Sequence, residues 1–179
     1  MSAQRSFVSA FFLVTAVLLF SRRLEAGRGP VPYLRPLTPY DWTVVERVRA
    51  RAAARLDDPE CGKLLTDFRD GAGRTLQSNL QGFGISLSQY LLQLSFLDGS
   101  LLPACRPPAV IMAVTPGVPR VFVCPAGVGR LNARFSQIEL ESGLLAEAMV
   151  IHEMLHTLGL GENPPSTFEI TERVRQRCR

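Results

Sequence analysis

Between residues 41 and 177 the apolar positions fall mostly at helical spacing. In Asp41 to Leu56, Val44, Val45, Val48, Ala52 and Leu56 share one face with arginines between them, which predicts an amphipathic helix. Asp58 with Pro59 behind it is a helix start, so Pro59 to Phe68 reads as a second, shorter helix, broken by Asp70-Gly71-Ala72-Gly73. Ser86 or Ser88 can cap a third helix through Phe96, with Leu87, Tyr90, Leu91 and Leu94 as its buried stripe and Asp98-Gly99-Ser100 as the turn behind it. Ala109 to Val114 and Arg120 to Cys124 are short β-prone runs. Thr115-Pro116-Gly117-Val118-Pro119 separates them, which predicts a hairpin or two edge strands. Pro125 to Arg130 reads as loop.

The next block, from about Ser142 to Leu158, is a helix with Leu144, Leu145, Ala148, Ile151, Leu155 and Leu158 at apolar spacing. Gly159 and Gly161 stop it. Pro164-Pro165 predicts an extended stretch. Ser166 and Glu169 have the spacing of a capping box, opening a last helix from Thr167 to Arg177. The pattern predicts an α+β domain, mostly helical, with a short sheet or hairpin and its most apolar helix late in the chain.

The beginning of the chain changes the domain count. Ser6 to Phe20 is almost wholly apolar, Met1 to Arg5 precedes it with one arginine, and Leu24-Glu25-Ala26 ends in a small residue. That layout predicts a signal peptide over 1–26, cleaved before Gly27, leaving a single domain over 27–179 in a secreted or periplasmic protein. Arg22 and Arg23 directly after the apolar run keep an uncleaved membrane anchor open as the alternative. The chain has 179 residues and a net charge of +4, which falls by two when the signal leaves with three arginines and one glutamate. So small and scattered a charge excludes nucleic acid as the expected partner, and a monomer is expected.

Four cysteines in an exported chain predict two disulfides. The favoured pairing is Cys105 with Cys124 and Cys61 with Cys178. A cysteine zinc ligand is the alternative, although no CxxC spacing supports it.

The late apolar helix carries His152-Glu153-Met154-Leu155-His156, which includes the only two histidines of the chain. Residues four apart on a helix share a face, so two imidazoles can reach one metal ion from the same side. Glu153 is rotated by about one hundred degrees from His152 and flanks the ion, where a base must stand to take a proton from water that a metal has made acidic. The pattern HExxH resembles the active-site helix of the zincin metalloproteases. The resemblance implies a zinc-dependent metalloendopeptidase acting on a peptide or protein substrate, with Zn2+ held by His152 and His156 and with Glu153 as the catalytic base. It also implies an edge strand beside the cleft that binds extended peptide antiparallel, supplied by Ala109 to Val114 or Arg120 to Cys124. The run to Glu162 is similar to the metzincin pattern HExxHxxGxxH, with Gly159 as the turn glycine and Glu162 in the last ligand position. No methionine follows Met154, so the Met-turn of that group is absent. In the gluzincin manner, Glu169 or Glu172 would be the third ligand instead. No tyrosine among Tyr33, Tyr40 and Tyr90 is placed by any motif. Two further readings stay open: a zincin-fold binding or structural protein with a non-catalytic zinc site, and a latent enzyme in which Cys61 blocks the metal.

Overall fold

A computed structural model describes the backbone of residues 34–136 and 140–179 and the side chains of 34–133 and 144–179. The signal-peptide expectation, and Tyr33 with it, lies outside the described residues. Thr38 caps the first helix, α1 (Pro39–Leu56), by accepting from Asp41 N, and Pro39 sits at its first position. Its buried face is Val44, Val45, Val48, Ala52 and Leu56, with Arg49 and Ala53 added. The single helix expected over Pro59 to Phe68 is two short ones, α2 (Pro59–Gly62) and α3 (Leu64–Asp67), separated at Lys63. A helix not foreseen, α4 (Leu76–Gln81), begins where Thr75 accepts from Ser78 N. Ser86 and Gln89 form a full capping box at the start of α5 (Leu87–Gln93).

The expected continuation of α5 to Phe96 is instead strand β1 (Ser95–Asp98). The run is apolar at both helical and alternate spacing. Partners decide it: β1 lies parallel to β3 (Arg120–Val123), with Phe96 opposite Val121. The expected hairpin is present, since β2 (Met112–Val114) runs antiparallel to β3 with Met112 opposite Val123 and Val114 opposite Val121. β2 is shorter than Ala109 to Val114. Sheet order is β1-β3-β2, which leaves β2 at one edge. Cys124 N donates to Ile111 O at 2.9 Å. In an antiparallel ladder the pattern repeats every second residue, so Ile111 and Ala113 turn their peptide groups to β3, and Met112 and Val114 turn theirs outward.

Pro125 to Arg130, read as loop, opens a helix, α6 (Pro125–Ser136). Gly127 and Gly129 lower its helix propensity, and packing overrides it. Gly127 has a specific use there, because a Cβ on it would stand 2.1 Å from Ile111 O. Helix α6 approaches the strand lead-in that closely only with glycine at this position.

Helix α7 (Leu140–Thr157) carries the two histidines, and it is the centre of the core. Ala146, Ala148, Val150, Ile151, Met154 and Leu155 have no exposed surface. Burial covers more of the circumference than the single stripe expected, and leaves Leu145, Met149 and Glu153 half-buried along one line, with Leu144 half-buried as well. So broad a buried face must be covered, and α1, α6, β2, β3 and α8 (Thr167–Arg177) pack around it. Among these apolar residues Glu147 is 2 % exposed and ion-paired to Arg55 of α1, which also donates to Cys178 O at 3.2 Å. The helix ends in a Schellman motif: Gly159 N donates to His156 O at 2.8 Å and Leu160 N to Leu155 O at 3.2 Å, with Gly159 at φ 104°. The chain then turns at the two prolines instead of extending, and Asn163 N donates to Pro165 O at 2.8 Å.

Both favoured disulfides are present, Cys61–Cys178 and Cys105–Cys124. No described cysteine is free. Cys61 therefore offers no thiolate to block a metal, and no cysteine serves as a ligand. No helix among the described residues is long and apolar enough to cross a membrane.

Candidate metal centre

His152 and His156 are 4 % and 6 % exposed and lie one turn apart on one face of α7. Their Nε2 atoms face each other at 3.0 Å. Glu162 Oε1 lies 3.5 Å from each of them. These three donor atoms form the group among the described residues that can hold a metal ion.

The hydrogen bond behind the His156 ring fixes which of its nitrogens is free. His156 Nδ1 stands 2.7 Å from Leu160 O. A carbonyl only accepts, so Nδ1 carries the proton and Nε2 of the neutral ring is a lone pair. His152 Nδ1 is 3.0 Å from Thr171 Oγ1, which can accept in the same sense. Two lone pairs and a carboxylate oxygen converging on one point repel one another unless a cation or a proton lies between them. Glu162 is held in turn by Thr167, whose Oγ1 donates to its Oε1 at 2.7 Å. Thr167 and Thr171 are four residues apart on α8 and so share a face. One helix thus supports two of the three donors, an arrangement often found behind metal ligands.

Glu169 has a different task. Its carboxylate accepts from Ser166 N at 2.7 Å and from Ser166 Oγ at 2.8 Å, completing the expected capping box. Glu172 is bound to Arg175 at 2.8 Å. Neither belongs to the donor group. Tyr90 is buried and donates to Thr157 Oγ1 at 3.0 Å, while Tyr40 is 63 % exposed.

Two cavities meet at the centre. One, of about 270 Å³, is lined by Met112, Ala113, Val114 and Pro116 opposite Glu153, His156 and Glu162. The other, of about 410 Å³, runs on past His152 between Val110, Ile111 and Met112 on one side and Met149 and Arg130 on the other. Glu153 and Glu162 line both. The edge strand β2 and its lead-in therefore line both cavities, and Glu153 and the donor triad face them.

Charge in the cleft follows from burial. Burial lowers the pKa of His152 to about 4, the charge of His156 adds to this, and Glu162 opposes it. Burial raises the Glu153 carboxyl to about 8, with the nearby Glu162 charge adding to it. Partial burial raises Glu162 too, but the Thr167 hydrogen bond and the two imidazoles outweigh it and hold the carboxyl below the ordinary value. At neutral pH the metal-free site thus has a protonated Glu153, a neutral His152 and an ionised Glu162.

A stability profile follows. Between its ordinary value and about 8, Glu153 holds a proton in the native state that the unfolded chain has lost, so stability falls as pH rises through that range. His152 acts oppositely: from about 4 up to 6.5 the unfolded chain holds the extra proton, and stability rises with pH. The two offset each other in the acid range, and Glu153 acts alone from 6.5 to about 8. Because Glu153 opens into a cleft that admits water, the expected loss there is on the order of 1 kcal/mol. Urea unfolding of chelator-treated protein at several pH values measures it. A metal-free protein that gains stability from pH 6.5 to 8 contradicts this charge assignment.

The residues that sequence reading missed are those behind the donors: Thr167, Thr171 and the carbonyl of Leu160. The one signal available was the four-residue spacing of the two threonines in the first turns of the last helix. Comparison with known proteins adds no relative on which a role could be based: no protein-family model, no curated protein and no solved structure matches this chain.

Proposed function

We propose that the chain is a zinc-dependent metalloendopeptidase of the zincin type, exported from the cell, with His152, His156 and Glu162 as metal ligands and Glu153 as general base. The observation that carries this reading is the convergence, at 3.0 to 3.5 Å, of the two histidine Nε2 atoms of the HExxH helix with a carboxylate oxygen of Glu162 from the segment behind it. Zinc bonds of about 2.0–2.1 Å at tetrahedral angles place neighbouring donors about 3.3 Å apart, close to the spacing here. Two imidazoles with one carboxylate suit zinc better than the all-oxygen shells of magnesium or calcium. Three protein donors with the fourth direction open to a cleft is the pattern of a catalytic site, since structural zinc sites are closed by a fourth residue. That openness, with Glu153 beside it, favours the enzyme over a zinc-stabilised binding protein. The two disulfides fit an oxidising compartment.

A bound zinc supplies Lewis acidity for a substrate carbonyl and makes water acidic near neutral pH. The chain's own residues do the rest. Leu160 O keeps His156 in the tautomer whose Nε2 is free, and Thr171 Oγ1 can accept from His152 Nδ1 in the same sense. The outward peptide groups of Met112 and Val114 pair with an extended substrate backbone laid antiparallel along β2. Held ionised, despite its burial, by the charge of a bound cation, Glu153 takes a proton from water on its attack side and passes it to the leaving amine.

Metal content and chelator sensitivity test the reading. Purified protein should hold about one zinc per chain and lose peptide cleavage on chelation, with recovery when zinc is restored. Glu162→Ala should weaken zinc binding about a hundredfold or more. Glu169→Ala should keep the metal and lose only cap stability, about 1 kcal/mol. A chain that takes up no zinc, or a Glu162→Ala protein that binds zinc as wild type does, overturns the assignment.

A further inference from the structure

Residues 69–81 close on the end of α7 at three points. Asp70 pairs with Leu160 in an isolated antiparallel bridge. Asn79 Nδ2 donates to Leu158 O at 2.8 Å and to Asp70 Oδ2 at 3.0 Å. Gly159 leaves only enough space for Asp70 to reach this position, since a Cβ on it would lie 3.2 Å from Asp70 Cβ. The Asp70 side chain is 6 % exposed, and both of its oxygens are used. Oδ1 accepts from Ala72 N and Arg74 N at 2.9 Å, and Oδ2 from Arg74 Nε at 2.9 Å as well as from Asn79. The turn that presents Asp70 is therefore internally fixed before it meets the helix.

The helix end does not depend on this clamp to close, because the Schellman bonds of Gly159 and Leu160 already satisfy the carbonyls of His156 and Leu155. What the clamp fixes is the direction in which the chain leaves. Leu160 O holds His156 Nδ1 at 2.7 Å, and Glu162 follows two residues later. A carbonyl displaced by about 1 Å would leave hydrogen-bonding range and free the ring to rotate. Two of the three donors are thus aimed through the single residue that Asp70 pairs with.

We propose that Asp70 and Asn79 are positioning residues for the metal centre, acting on His156 through the carbonyl of Leu160 and on Glu162 through the path of the chain. The inference rests on the metal reading above. It assigns a role to the segment between α3 and α5 that neither the histidine motif nor the cleft explains.

The test compares the zinc affinity of the full chain, by competition with a chromogenic chelator, in wild type, Asn79→Leu and a control variant, Val45→Ala. Val45 lies in the α1 core, and the comparison is made where apo melting temperatures fall equally. Asn79→Leu should bind zinc about tenfold more weakly than the equally destabilised control, and the visible bands of its Co2+ form should shift. If Asn79→Leu does not fold, Asn79→Ser, too short to span both acceptors, makes the same comparison. Equal affinities in the Asn79 variant and the control, with unchanged Co2+ bands, overturn the positioning role and leave only a stability role. A wild-type chain that binds neither zinc nor cobalt removes the metal reading itself, so the two failures are distinct.

Discussion

Glu153→Gln should lower peptide cleavage at least a hundredfold while the protein still holds its zinc. Positioned general acid–base groups contribute about 10²–10⁴ in rate, and in the proposed mechanism one carboxylate performs both proton transfers. The substitution is unusually clean at this site. Burial and the neighbouring Glu162 keep Glu153 protonated to about pH 8 in the metal-free protein, so a neutral amide of the same shape resembles the group it replaces. Apo stability at neutral pH should therefore change little, and the fall in stability between pH 6.5 and 8 should disappear. Cleavage at the wild-type rate removes Glu153 from the mechanism. Loss of zinc along with activity would instead make Glu153 part of the metal shell. Kinetics on a casein or peptide substrate, with metal content measured on the same sample, separates these outcomes.

The site was legible in the sequence where the chemistry is local. His152, Glu153 and His156 lie within one turn and a half of one helix, so their relative placement follows from helical geometry alone. Glu162 was one of three candidates, and the sequence also held the reason to set Glu169 aside. The capping box Ser166/Glu169 was visible as a spacing, and a carboxylate bound to its own helix start is not free to turn toward the histidines. What spacing could not supply was contact at a distance. Thr171 meets His152 from another helix, and Asn79 meets Leu158 from nearly eighty residues away. The fold divides the same way. Caps and breaks such as Thr38, Ser86 and Gly159 act within a few residues of themselves, and the helices they bound lie close to where the pattern put them. Misreadings fall where tertiary partners override local preference. Ser95–Asp98 becomes a strand because β3 is there to pair with it, and Pro125–Ser136 becomes a helix despite two glycines because α1 and α7 receive it. The short helix Leu76–Gln81 carries too few residues to show a period.

Replacing Cys61 and Cys178 together by alanine should cost about 4 kcal/mol of unfolding free energy, against a smaller loss for Cys105 and Cys124. The two bridges differ mainly in the loops they close, with separations of 117 and 19 residues. The entropy removed from the unfolded chain grows with loop length, toward about 5 kcal/mol for loops of a hundred residues and about 3 for loops of fifteen to twenty. Most small domains have a net stability of about 5–15 kcal/mol, so the long bridge is a large fraction of the total. Its position couples that loss to the candidate metal centre. Cys178 ends α8, the helix that brings Thr167 to Glu162 and Thr171 to His152. Near Cys178, Arg177 also reaches Asp67 at 3.0 Å and Arg55 donates to the Cys178 carbonyl, so α8 will not detach when the bridge is gone, but it will be free to shift. Zinc affinity should therefore fall with the Cys61–Cys178 pair and change less with Cys105–Cys124, which lies before α6. Urea unfolding and chelator competition on both double variants measure the two effects. A Cys61/Cys178 variant within 1 kcal/mol of wild type would show that the helix is held by its packing and ion pairs alone.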